Sequence, residues 1–284
     1  MPIARLADRS IITVTGEDAE TLLQGIVTAD LDSLGGDEAR AGALLAPQGK
    51  ILCDFLVSRA PGGMRLDVAR EAGRDLVRRI TLYRLRARAE IRIDDQAVVT
   101  VAWQSATKEG KSPLFRDSRF PPEFVVWRGY GEPSPTPDAD PDAWTNLRIQ
   151  WGIAEAGADY TLGDAFPHDV NLDQIGGVSF TKGCYVGQEV VSRMQHRGTA
   201  RRRVLVAHGA RELPSRAPIE VAGREIGTLG STAGRDGIAL VRIDRAKAAM
   251  DAGAIITAGS VPVRLELPPG ARLAWPAPGS ADDS

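Results

Sequence analysis

A thiol, an ammonium, an amide, a carboxylate and a guanidinium fall within one short stretch of this chain, at Cys184, Lys182, Gln188, Glu189 and Arg193. Val178 and Phe180 alternate as a strand would, Gly183 and Gly187 let the chain bend, and a helix is expected from Gln188. Gln188 and Glu189 then occupy its first turn, where unpaired N–H groups favour negative charge, and Glu189 and Arg193 are spaced for an i, i+4 pair. Cys184 is placed on a loop two residues after Lys182 and close to a helix N-terminus, and both neighbours favour the thiolate. The residues alone leave two readings: a small apolar side chain in a core, or a nucleophilic, metal-binding thiol on a loop whose glycines allow close backbone approach.

Beyond that stretch, Leu22-Leu23-Gln24-Gly25-Ile26-Val27-Thr28-Ala29-Asp30, Ala46-Pro47-Gln48-Gly49-Lys50-Ile51-Leu52, Tyr83-Arg84-Leu85-Arg86 and Asn171-Leu172-Asp173 form ordered blocks. Together with Lys182-Gly183-Cys184-Tyr185-Val186-Gly187-Gln188-Glu189, Arg193 and Gly198, they make the chain resemble the YgfZ family over nearly its whole length. These are folate-binding relatives of the glycine cleavage T-protein, related to mitochondrial CAF17-type proteins that help mature iron–sulfur enzymes. The resemblance implies an α+β fold, with T-protein-like folate-binding lobes followed by a small C-terminal β-barrel, and a folate cavity between the two. Tetrahydrofolate is the implied cofactor. Cys184 and Lys182 are the implied chemical residues, and Thr28, Asp30, Asp54, Asn171, Tyr185, Gln188, Glu189 and Arg193 are candidates for holding the folate.

The composition narrows the alternatives. A chain of 284 residues with 43% hydrophobic content suits about two domains at ~150 residues each. A net charge of −2 argues against a dedicated nucleic-acid binder, and no direct nucleic-acid contact is expected. No apolar run approaches the roughly 20 residues that span a bilayer, and no leader-like segment follows Met1, so a cytoplasmic protein with no membrane partner is expected. Two cysteines, Cys53 and Cys184, are too few for the four ligands of a conventional [4Fe–4S] cluster, and His168, His196 and His208 lack zinc-type spacing. No resident metal is expected.

The elements that must position the site read as follows. Strands are expected at Ile3 to Val14, Ala39 to Leu45, Ile51 to Ser58, Met64 to Val68, Ala89 to Ile93, Val98 to Trp103 and Phe124 to Trp127; helices at Ala19 to Gly25, Arg70 to Leu85 and Trp144 to Trp151. Gly110 to Arg119 contains turn residues, and a proline-rich loop falls near residues 131–143. Short strands at Val204 to Ala207, Pro218 to Val221, Glu225 to Thr228, Gly237 to Arg242 and Val261 to Leu267 suit a barrel. The expected domains are therefore 1–198 and 199–276, with a disordered tail at 277–284.

T-proteins carry an acidic pair where this chain has Cys53-Asp54, and one of that pair is their catalytic carboxylate. Half of the pair is missing here, which speaks against aminomethyl transfer, and the resemblance to the YgfZ family implies a folate-binding factor that assists assembly or repair of iron–sulfur clusters. Its partners would be client enzymes, including tRNA-modifying radical enzymes, or cluster carrier proteins. A folate-dependent aminomethyltransferase or demethylase is the alternative, and a non-catalytic folate sensor a third.

Overall fold

The computed structural model describes residues 2–104, 114–131, 136–198 and 200–276. The expected tail at 277–284, the start of the turn-rich stretch at 110–113 and residues 132–135 of the proline-rich segment lie outside the described residues. The chain divides into two compact units, Met1–Pro141 with Ile175–Ser192, and Asp142–Gln174 with Arg193–Ser284. Among the described residues no helix is long and apolar enough to cross a membrane.

The first unit is built on a nine-stranded sheet of β1 (Ile3–Arg5), β2 (Arg9–Thr15), β3 (Glu38–Leu45), β4 (Ile51–Ala60), β5 (Gly63–Ala69), β6 (Glu90–Asp94), β7 (Val99–Trp103), β8 (Leu114–Asp117) and β9 (Val126–Tyr130). Their order across the sheet is β1-β7-β9-β8-β3-β4-β5-β2-β6, and every pairing is antiparallel except that of β3 with β8. Alternation decides which face is apolar. Cys53, Phe55 and Val57 of β4 meet Met64, Leu66 and Val68 of β5 in a core closed by helix α1 (Ala19–Gln24) and helix α2 (Arg70–Arg84). Helix α2 contributes Gly73, Leu76 and Ile80, one face at helical spacing.

Three sequence expectations change here. The early strand is two strands, because the chain turns between Arg5 and Arg9 so that β1 pairs with β7 while β2 pairs with β5 and β6. The turn-rich stretch contains β8. Val178 to Phe180 is not a strand: its alternation finds no ladder, and the chain there is tied instead to the loop at Thr28.

A buried ionic cluster lies under β9 and β5. The guanidinium of Arg128, 1% exposed, reaches Asp117 Oδ2 at 3.2 Å and Asp67 Oδ2 at 3.5 Å, and both aspartates are fully buried. Arg119 adds a second contact to Asp117 at 2.7 Å, and Arg9 one to Asp67 at 2.6 Å. Burial alone would raise the Asp117 carboxyl, but Arg119 and Arg128 outweigh it and hold it below the ordinary aspartate value.

The second unit closes around a six-stranded barrel of β10 (Arg202–Gly209), β11 (Pro218–Val221), β12 (Arg224–Ala233), β13 (Asp236–Arg242), β14 (Ile256–Ala258) and β15 (Val261–Glu266), ordered β10-β13-β12-β11-β14-β15. Neither β14, too short to show alternation, nor a helix at Ile243–Asp251 is legible in the sequence. The bounds of the two compact units also differ from the expected domains. Helix α3 (Pro141–Gln150) and the loop to Gln174 pack with the barrel, because buried Arg148 pairs with Asp159 at 2.6 Å and donates to Ser231 of β12, while Ser231 N–H donates to Asp159 at 2.7 Å.

The Asp117 cluster generates a test. Asp117→Asn leaves Arg128 and Arg119 short of a buried counter-charge and is expected to cost on the order of 3 kcal/mol in denaturant unfolding. Because the folded carboxyl is depressed, its contribution is complete above the unfolded aspartate value near 3.8 and is lost as pH falls through the folded value. The parent should therefore lose stability below about pH 4 more steeply than the variant.

Candidate functional site

Lys182 anchors the signature loop. Its Nζ donates to the carbonyls of Val27 at 2.8 Å and Ala29 at 2.7 Å and to Gln24 Oε1 at 3.3 Å, which uses all three ammonium protons. Burial pushes its pKa down to about 8, against the opposing pull of Asp30 and Asp32. The same Nζ lies 5.3 Å from the centre of the Tyr185 ring.

The loop that Lys182 grips is itself locked by Thr28. The buried Thr28 hydroxyl donates to Gly177 O at 2.6 Å and accepts from Ala43 N–H at 2.9 Å, and Thr28 O accepts from Ser179 N–H at 2.9 Å. Asp30 accepts from Gln24 Nε2 and from the Ser33 hydroxyl, each at 2.8 Å, and these bonds hold its carboxyl below the usual range. Both side chains are thus engaged in shaping the loop. Gln24, in the sequence only one residue of an ordered block, bridges Asp30, Leu31 N–H and Lys182. An amide directly after Leu22-Leu23, at the end of helix α1, is the available signal.

Past the thiol, two glycines explain the turn into helix α4 (Gln188–Arg197). Gly187 has φ +80° and a Cβ there would lie 2.5 Å from Ala46 O, while Gly49, also at φ +80°, would put a Cβ 2.9 Å from Val190. The turn between β3 and β4 and the start of α4 can approach this closely only as glycines. Gln188 Oε1 accepts from Tyr185 N–H at 3.4 Å and Gln188 N–H donates to Tyr185 O at 3.3 Å, half of a capping box.

The two cysteines separate cleanly. Cys53 is 1% exposed on β4, and burial pushes its thiol far up; Cys184 is exposed. Between Cys184 and the cap sits Tyr185, 6% exposed, with a buried hydroxyl that has no hydrogen-bond partner among the described residues. Burial pushes this phenol up to about 12. Asp54 is half-buried on β4, and Glu189 and Arg193 are exposed positions of α4. Asn171 belongs to the second unit, where it takes the left-handed conformation at φ +57°, donates to Val204 O at 2.8 Å and accepts from Arg203 at 3.4 Å. Lys182, Cys184, Tyr185, Gln188, Thr28 and Asp30 are therefore one local constellation, with Asn171 built into a separate one. Among the described residues no three His, Cys, Asp or Glu side chains converge as a metal site would require.

Residues 201–273 match the family described as CAF17, C-terminal beta-barrel domain. The chain is similar to proteins named iron–sulfur cluster assembly factor IBA57 homolog, mitochondrial. The one from Chaetomium globosum is 34% identical over 72% of this chain and 55% of its own length, and the one from Pyricularia oryzae 34% identical over 70% and 55%. That of Mycosarcoma maydis is 30% identical over 72% and 56%. The chain thus spans just over half the length of these relatives. The fold resembles glycine cleavage system aminomethyltransferase T from Bartonella henselae, with a TM-score of 0.70 at 14% identity over 95% of this chain and 85% of that one. The α+β, T-protein-like architecture with a C-terminal barrel is as the sequence implied. The cytoplasmic location is corrected, since these relatives are mitochondrial by name.

Two outcomes follow from the geometry. Tyr185→Phe removes an unpaired buried hydroxyl and should raise unfolding stability of the isolated chain by about 1 kcal/mol. For Lys182, the unfolded side chain keeps its proton to higher pH than the folded one, so stability should rise from about pH 8 toward 10.5. In Lys182→Met that rise should be absent, and amide exchange should quicken through residues 175–184.

Proposed function

We propose, from the premise of a relative of CAF17/IBA57-type iron–sulfur assembly factors on a T-protein-like fold, that this chain acts in iron–sulfur cluster assembly through Cys184. The observation that supports this most directly is the contrast between the two thiols. Cys184 is exposed on a loop whose base is pinned by Lys182, whereas Cys53 is sealed in the β4–β5 core. One surface thiol cannot complete a ligand set, so a cluster in transit takes its remaining ligands from a partner, a cluster carrier or the client enzyme. Within this reading the chain is of the YgfZ kind, and its clients include tRNA-modifying radical enzymes.

Tetrahydrofolate is the proposed cofactor. The residues present fit it: Tyr185 carries a buried hydroxyl in need of a partner, and Asp54 offers a half-buried carboxylate of the type that binds the N–H edge of a pterin. Bound, a reduced folate would supply a one-carbon acceptor. Tyr185 would donate to or accept from it, Asp54 would orient it, and Lys182 would keep the loop bearing both Cys184 and Tyr185 in place. Aminomethyl transfer is disfavoured, because the Cys53 thiol is raised by burial and stays protonated where T-proteins hold a carboxylate.

Cys184→Ala and Cys184→Ser should melt within a few degrees of the parent, keep folate affinity and fail to restore iron–sulfur enzyme activity in cells lacking the protein. Full complementation by both variants would sink the proposal. Tetrahydrofolate at about 100 times its Kd should stabilise the parent by about 2.7 kcal/mol. Tyr185→Phe should lose much of that gain, and no stabilisation of the parent at millimolar ligand would remove folate from the account.

A further inference from the structure

Helix α2 ends in a turn whose residues conflict with its backbone. Ala87 N–H donates to Arg84 O at 2.7 Å, closing a turn over Leu85 and Arg86, and Leu85 stands at its first central position with φ +45° and ψ −106°. That is the conformation of a type II′ turn, where glycine is the ordinary occupant. A leucine there is strained, and it is not kept for the core, since its side chain is 86% exposed. Leu82, one turn earlier, is 70% exposed on the same face.

Arginines surround this pair. Arg78 and Arg79 share the helical face of Leu82, and Arg84, Arg86 and Arg88 flank Leu85 in and beyond the turn. Asp75 pairs with Arg78 and Arg79, and Glu17 and Asp18 with Arg88, so five arginines meet three carboxylates; among the described residues Arg86 has no ion pair. The patch is apolar at its centre, cationic at its rim and held in a fixed, strained turn.

We infer that the Leu82–Leu85 tip of α2 is a docking surface for a protein partner that presents an apolar socket rimmed by carboxylates. Charge complementarity selects an acidic rim. Two leucines fixed by a turn suit a socket of defined shape, and the interspersed Asp75, Glu17 and Asp18 suit a matched pattern better than a uniformly anionic lipid surface. The surface is separate in the sequence from Cys184 and stands whether or not that thiol binds a cluster.

The probe is benzoylphenylalanine placed at position 85 in cells, with position 71, an exposed glutamate at the other end of α2, as control. A discrete protein adduct is expected from position 85 alone. That protein, identified and purified, is then titrated against the parent, Leu85→Gly and Arg86→Glu. Each variant should bind about tenfold or more weakly. Leu85→Gly should also melt higher than the parent, because glycine takes this backbone freely, which separates lost docking from lost fold. Equal adducts from both positions, no discrete adduct, or unchanged affinity for Leu85→Gly overturns the inference. Sedimentation of the parent, and not of the variants, with phosphatidylserine vesicles would assign the surface to a membrane and overturn it as well.

Discussion

The ammonium of Lys182 joins two parts of the chain that are about 155 residues apart in sequence, as the separation of its bond to Val27 O shows. Without that donor the carbonyls of Val27 and Ala29 lose an in-chain partner at the base of the signature loop. Everything that follows along the loop depends on this attachment. Thr28, held between the two carbonyls, can then bridge Gly177 and Ala43, and Cys184 emerges two residues beyond a fixed point. The cost is the burial of a charge, visible in the depressed lysine value, and it is offset by three acceptors and by Asp30 and Asp32 nearby. A lysine beside a cysteine reads in the sequence as an electrostatic activator of the thiol. In the fold its hydrogen bonds point the other way, toward the loop at 24–29.

How much of this was legible varies with the physical origin of each feature. Strands β3, β4 and β5 and helix α2 showed themselves because one face of each is apolar at its own period, and burial enforces that pattern locally. Val178 to Phe180 carries the same alternation without a neighbour to pair with, so the pattern was present and the strand was not. The bounds of the two compact units differ from the expected domains for a related reason. Residues 142–174 join the barrel through Arg148, Asp159 and Ser231, a polar network between positions far apart in sequence, and no local periodicity announces such a network.

The candidate site shows the same division. The glycines and lysine around Cys184 left a core and a loop reading open, whereas the burial of Cys53 could be read from the apolar residues about it, Ile51, Leu52, Phe55 and Leu56. The roles of Thr28, Asp30 and Gln188 could not. Each is of a type that binds ligands, and each is occupied by backbone groups or neighbours that the sequence does not identify. The buried hydroxyl of Tyr185, without a partner among the described residues, was likewise invisible, because an orphan is defined by what fails to arrive within hydrogen-bond distance.

The glycines of the signature make the final distinction. Gly187 and the distant Gly49 are required by the fold, since each is left-handed and a Cβ on either would strike the other's segment. Gly183, immediately before the thiol, is different: its backbone is not left-handed, and a Cβ there would meet nothing within 4 Å. Neither conformation nor packing in the isolated chain demands glycine at that position. A motif that looks uniform in sequence therefore contains two kinds of residue, those that set the loop's path and those that leave the surface beside Cys184 uncovered. Only the structure separates them, because the test is whether a single added carbon collides.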